Sequence, residues 1–258
     1  MIDRRTFMGG LSGLGFLAAS PAADTAKRRV FVFEQYFLKN GTQAGRFHEY
    51  VQKTALPALG RVSAGPKIVL EALAAPHMPQ VATLLGFASI DELWSANERL
   101  LGDQEAKKGL DAWENHPEQP YEHLTTTLLG LTDYCPSVPT SLEPRPAPRI
   151  FEIRVYHSPT WRQLQALHER FAGPEIRIFH RVGVRPILYS SAVFGAQLPN
   201  LTYVIPFDDL AARERAWTAF SADPEWVKVR KESIDKHGQI SSTSQISLYR
   251  ATAYSPIR

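Results

Sequence analysis

Pro199-Asn-Leu-Thr-Tyr-Val-Ile-Pro-Phe-Asp-Asp-Leu210, then Arg213-Glu-Arg-Ala-Trp217, then Asp223-Pro-Glu-Trp-Val-Lys-Val-Arg230 spell a strand, a helix and a second, separately capped helix. Leu201, Tyr203 and Ile205 alternate with smaller or more polar neighbours, the period of a half-buried strand, whereas Leu210, Trp217 and Phe220 recur at roughly helical spacing. A new helix starts at Asp223. Its carboxylate can accept from the free amides of the first turn, Pro224 suits the first helical position, and Glu225 faces the positive end of the helix dipole.

The same grammar occurs earlier in the chain. Pro79 answers Pro199 and Phe87 answers Phe207, both at an offset of 199 − 79 = 207 − 87 = 120. That offset sets Asp103-Gln-Glu-Ala106 opposite Asp223-Pro-Glu-Trp226, and 125–131 opposite 245–251. Phe33-Glu34 and Phe151-Glu152 also match, at 151 − 33 = 118. The first copy reads as a strand over Val30–Leu38, a helix from Thr42 to about Leu59, and strands over Ile68–Leu73 and Val81–Phe87. A helix capped by Ser89 with Glu92 as its capping-box partner follows, then a helix from about Gln104 to Trp113 and a strand over Leu124–Leu131. The second copy reads as a strand over Ile150–Tyr156, a helix started by Ser158-Pro159 and ended by Gly173, a strand at Ile176–His180 or Pro186–Phe194, and then the stretch quoted first. Agreement of caps and elements with the offset makes this an internal repeat. Strand, helix, two strands, helices, strand is the ferredoxin-like α+β plan, an antiparallel sheet with helices on one face. Two tandem ferredoxin-like copies allow their two antiparallel sheets to pack against each other within one chain.

Between the copies, Pro136, Pro139, Pro144, Pro146 and Pro148 favour extended chain over helix or paired strand. The expected organisation is a signal segment at 1–23, a first domain at 28–132, a proline-rich linker at 133–148 and a second domain at 149–258. At the N-terminus, Arg4-Arg5 with Phe7 precedes an apolar, glycine-rich run to Ala19 and small residues through Ala23. That order reads as a secretory signal of the twin-arginine type, placing the mature protein in the periplasm or outside the cell; an uncleaved membrane anchor is the alternative.

The bulk composition is that of a globular protein: 258 residues, 44% hydrophobic and 21% charged. A formal charge of +3 without a long like-charged block gives no nucleic-acid footprint, and Lys27-Arg28-Arg29 reads as a solvated lead-in to the first strand. The single cysteine, Cys135, excludes an intrachain disulfide framework and a cysteine-rich metal site. The sequence has no glycine-rich phosphate loop and no nucleophile elbow.

Phe151-Glu-Ile-Arg-Val-Tyr156, Leu198-Pro-Asn-Leu-Thr-Tyr203, and Trp217 with Asp223-Pro-Glu-Trp226 and Arg230 together resemble the NIPSNAP domain. The likeness implies a relative of the dimeric α/β barrels, with single-repeat members closing the barrel by dimerising and this chain closing it alone. In the first copy Gln35 stands where Arg154 is expected, and Gln104 and Ala106 replace Pro224 and Trp226, which favours the second copy as the holder of any ligand site. The resemblance supplies no catalytic residues. Similar barrels include haem-degrading and cofactor-free monooxygenases, an analogy of fold alone.

The polar candidates are Glu34 and Glu152 on equivalent strands, with Arg154, Arg177 and His180. A strand carboxylate between apolar residues is a possible buried acid or base, while an intrasheet ion pair explains Glu152 and Arg154 without function. His157, His168 and His180 could meet around a metal or haem iron, but no ligand spacing supports this. The expectation is an exported protein that binds a small molecule or a protein partner without a cofactor and without catalysis. The alternative is a barrel-cavity oxygenase, haem-dependent or cofactor-free.

Overall fold

The computed structural model describes residues 29–258; the export residues Arg4, Arg5 and Phe7 lie outside them. The first half runs β1 (Val30–Phe37), α1 (Gln43–Tyr50), a π-helical turn (Val51–Ala55), α2 (Leu56–Val62), β2 (Lys67–Ala74), β3 (Gln80–Phe87), α3 (Ile90–Gly102), α4 (Gln104–Glu114) and β4 (His123–Leu131). The second runs β5 (Ile150–His157), α5 (Trp161–Arg170), a π-helical turn (Phe171–Glu175), α6 (Ile176–Arg181), β6 (Leu188–Phe194), β7 (Asn200–Phe207), α7 (Leu210–Ala222), α8 (Pro224–His237) and β8 (Thr243–Ala251).

All eight strands form one closed antiparallel barrel, in the order β1-β3-β2-β8-β5-β7-β6-β4. Each half contributes four strands with its first strand inside the set, and the sets bond to each other at two seams, β2 with β8 and β4 with β6. The two sheets therefore face each other and also join along their edges, which leaves no row of unpaired backbone groups. Alternate side chains fill the lumen. Phe31, Phe33, Ile68, Leu70, Leu84, Leu129, Phe151, Ile153 and Val204 are all buried there, and the Gln80 amide donates to the Tyr249 hydroxyl at 2.9 Å. The other face of each sheet lies under helices. This is why β7 is not the half-buried strand its alternation suggests: Leu201, Tyr203 and Ile205 are covered by helices and Val204 by the lumen, so both faces are dry.

Positions 120 apart play equivalent parts. Val30 pairs with Phe87 as Ile150 pairs with Phe207. Ser89 and Asp209 each cap a helix, as do Asp103 and Asp223, and Arg61 and Arg181 bind those last two caps. The strand register corrects the offset of 118 at the first strand. Glu34 is opposite Arg154, Val32 is opposite Glu152, and Gln35 is opposite Val155; the shared Phe-Glu pair is a coincidence of composition.

Three local expectations also change. Thr160, not Ser158, caps α5, because Ser158 is buried and donates to the Ile240 carbonyl. Gly173 does not end the helix: its backbone leaves helical geometry inside the π-helical turn, and the chain continues as α6. Ile176–Arg181 is therefore helix, and β6 is the strand.

Each half also reaches into the other. Tyr134, beyond β4, pairs through its hydroxyl with His168 Nδ1 on α5 at 2.7 Å; Tyr254, beyond β8, pairs with His48 Nδ1 on α1 at 2.7 Å. Among the described residues no helix is long and apolar enough to cross a membrane.

Candidate functional site

A cavity of about 870 Å³ lies between the outer face of β1–β3 and the helices α1–α4 of the first half. Glu34 and Thr83 lie on its sheet side with Tyr36. The π-helical turn supplies Val51, Thr54 and Ala55 from above, and α3 and α4 supply Trp94, Asn97, Leu100 and Ala106. A π-helical turn widens the helix by one residue and is common at functional sites. Here it sits across the cavity. The lining is mostly apolar and aromatic, with one carboxylate on the sheet side, the usual make-up of a small-molecule site. The Tyr36 hydroxyl donates to Glu34 Oε2 at 2.8 Å and the Thr83 hydroxyl to the same oxygen at 3.4 Å. Burial, and then the neighbouring Glu34 charge, raise the Tyr36 phenol well above its ordinary range, so at neutral pH it is a hydroxyl donor.

Comparison of equivalent positions explains why the space exists. Where the second half has Tyr203, Trp217, Phe220 and Trp226, the first has Thr83, Asn97, Leu100 and Ala106; where the second has Phe171, Glu175 and Phe179, the first has Val51, Ala55 and Leu59. All seven smaller residues line the cavity. Their larger counterparts pack against one another, with Phe179 and Phe220 ring centres 4.7 Å apart and Phe220 and Trp226 4.3 Å apart. The backbone frame is shared, and truncation of side chains on one side empties it.

The second half is filled instead. Glu152 is fully buried and accepts from the Arg154 and Arg213 side chains and from Trp217 Nε1 at 3.3 Å. The Arg154 guanidinium lies 3.6 Å from the Trp217 ring centre and donates to the Tyr156 hydroxyl at 2.8 Å. Here the intrasheet ion pair of the sequence reading is present and is joined by a second arginine from α7. Below it, Glu175 is buried against Arg170, and burial, opposed by Arg170, lifts its carboxyl to about 7.

The sequence candidates are therefore not one constellation. Glu34 lies in the cavity, and Glu152 with Arg154 forms the buried network in the other half. Arg177 and His180 are exposed on α6, where Arg177 pairs with Glu225. The histidines do not converge: His157 Nδ1 pairs with the Gln197 carbonyl, while His168 is held between Tyr134 and Ser191. Among the described residues no group of three or more His, Cys, Asp or Glu is arranged to hold a metal ion. Those lining the cavity include no histidine, cysteine or methionine, so the commonest haem ligands are missing from this donor set. Sequence reasoning missed Tyr36, Thr83, Asn97 and Ala55. The available signal was the loss of bulk at an offset of 120, of which Ala106 for Trp226 was one instance; it marks an opened site where it was read as a lost one.

The fold is that of the dimeric α/β barrels, closed within a single chain. Solved structures with this architecture include a monooxygenase-like protein from Fusobacterium nucleatum subsp. nucleatum, 8% identical over 87% of this chain and 93% of that one, with a TM-score of 0.56. An anthrone oxidase-like protein is 12% identical over 87% and 91%, with a TM-score of 0.52. A second monooxygenase-like protein, from Lactobacillus acidophilus, is 7% identical over 87% and 94%, also at 0.52. At such identities the likeness is one of fold. Residues 151–256 match the NIPSNAP family model. No curated protein matches the chain.

Proposed function

We propose that the protein is an exported binding protein that holds a small, largely apolar molecule in the first-half cavity without transforming it. The observation that carries this is the cavity of about 870 Å³, walled by apolar and aromatic side chains, with the Glu34 carboxylate on its sheet side. A neutral fluorescent probe such as N-phenyl-1-naphthylamine should bind the purified protein. Thr83→Tyr and Ala106→Trp, which restore the side chains of the second half, should remove that binding while leaving the circular dichroism unchanged. Unaltered binding in both well-folded variants overturns the reading. The export part rests on the Arg4-Arg5 signal and is tested by the N-terminus of protein recovered from the periplasm: a start near Ala22 to Asp24 supports cleavage, and full-length protein in the membrane fraction supports an anchor.

One observation favours a second reading, that of a cofactor-free oxygenase. A carboxylate beside a phenol in an apolar cavity is placed to take a proton from a carbon or oxygen acid held against it, and the barrel is shared with monooxygenase-like and anthrone oxidase-like proteins. Dioxygen uptake with a bound phenolic or enolic compound, lost in Glu34→Gln, would establish it. Uptake that persists unchanged in Glu34→Gln, or none at all, removes it.

A further inference from the structure

Resting on the reading of the cavity as a binding site, we propose that its ligand is a flat, fused-ring aromatic molecule carrying a hydrogen-bond donor at the end that meets Glu34. The second half of the chain is the template. At positions equivalent to the cavity it packs a layer of aromatic side chains between sheet and helices: Phe179 edge-on to Trp217 with centres 5.6 Å apart, and Phe179 and Tyr203 with centres 6.2 Å apart. The guanidinium plane of Arg154 lies against Trp217 in the same layer. Planar groups are what this frame encloses when it supplies its own filling.

In the first half the frame is kept and the inner rings are removed, while four aromatic side chains stand in the wall among aliphatic ones, three of them (Phe47, Tyr50 and Trp94) where the second half has Leu167, Arg170 and Glu214. Tyr36 and Phe47 pack with ring centres 4.6 Å apart, and Tyr50 and Trp94 join them in the lining. Ring guests gain edge-to-face and offset-stacked contacts with such walls, which saturated guests of the same bulk cannot make. The polarity of the sheet side is inverted relative to the template, because Glu34 occupies the position of Arg154. The Glu34 carboxylate already acts as an acceptor, towards the Tyr36 and Thr83 hydroxyls, and an acceptor is what it offers a guest. The polar end of a guest seated there must therefore donate, as a phenol or an amine does and an ether does not.

The test compares three probes of similar size on the full chain by calorimetry: 2-naphthol, 2-methoxynaphthalene and decahydro-2-naphthol. The expected result is that 2-naphthol binds about tenfold more tightly than either of the others. Asn97→Trp and Ala106→Trp should each weaken it at least as much, with the far-UV spectrum retained. Equal affinities for 2-naphthol and its saturated analogue, both lost on refilling, overturn the aromatic inference and leave the cavity reading standing. Equal affinities for the naphthol and its methyl ether overturn the donor requirement alone. Binding that is untouched by both refilling variants, or no binding by any of the three, overturns the cavity reading and the inference with it.

Discussion

Replacing Glu152 by glutamine keeps the shape of the side chain and removes its charge, and the expected result is a large loss of stability without an effect on ligand binding. In the folded protein the carboxylate is inaccessible and takes hydrogen bonds from Arg154, Arg213 and Trp217, while the side chains of Arg154 and Arg213 are only 11% and 20% exposed. The substitution leaves two poorly hydrated guanidinium groups facing a neutral amide. Breaking a buried ion pair by removing one partner costs about 3–5 kcal/mol, because the remaining charge keeps its desolvation penalty. For a chain of this size each kcal/mol lowers Tm by about 2–4 °C, so E152Q should melt roughly 6–20 °C below the parent. Glu34→Gln supplies the control. Its carboxylate accepts from the Tyr36 and Thr83 hydroxyls on the cavity wall, and E34Q should alter the affinity for donor-bearing probes, which E152Q should leave unchanged. The measurement is thermal unfolding followed by circular dichroism at fixed pH and salt. An E152Q protein that melts within a degree of the parent would refute the claim that the buried charge of Glu152 stabilises the fold through Arg154 and Arg213.

Glu175 gives a pH signature. Its folded carboxyl is raised from the ordinary 4.5 to about 7 by burial. The folded state therefore binds the proton more tightly than the unfolded chain, and the stability this confers is complete below pH 4.5 and is lost as pH rises through about 7. Relative to Glu175→Gln, the parent should lose up to about 1.4 kcal/mol per pH unit across that window; parallel stability profiles for the two proteins would contradict the assignment. Two glycines should behave oppositely in urea unfolding. A Cβ at Gly65 would lie 1.9 Å from the Gly86 carbonyl oxygen, so Gly65→Ala should destabilise by 2 kcal/mol or more. Gly45 in α1 has nothing within 4 Å of that point, so Gly45→Ala should stabilise by about 0.5–1 kcal/mol. Sedimentation should find a monomer, since the barrel closes within one chain; a solely oligomeric species would contradict that expectation.

The element order was legible because it rests on short-range chemistry. The β-branched and aromatic run of Val30–Phe37, the Ser89 cap and the Asp223 cap each encode their own structure, and the caps make their expected bonds to Glu92 N, Glu225 N and Trp226 N. Closure within one chain was legible through the family likeness alone, and its seams were not, since nothing in β2 or β8 says that Leu70 meets Ala251. The site was misplaced for a related reason. A missing side chain leaves no pattern of its own; Thr83, Asn97 and Ala55 acquire meaning only beside Tyr203, Trp217 and Glu175, and only in the register that strand pairing fixes. The polar residues that drew attention, Glu152, Arg154, Arg177 and His180, were visible because charge is conspicuous in sequence, whether it stabilises a core or decorates a surface.

The crossed tyrosines have a consequence for how the molecule comes apart. Tyr134 leaves one half to reach His168 in the other, and Tyr254 returns the favour at His48. Neither set of four strands can complete its own layer of contacts without borrowing a residue from its neighbour. Unfolding should accordingly be a single event shared by both sets, with no temperature at which one survives alone, and cleavage in the proline-rich connection should yield two pieces that remain together until both are lost.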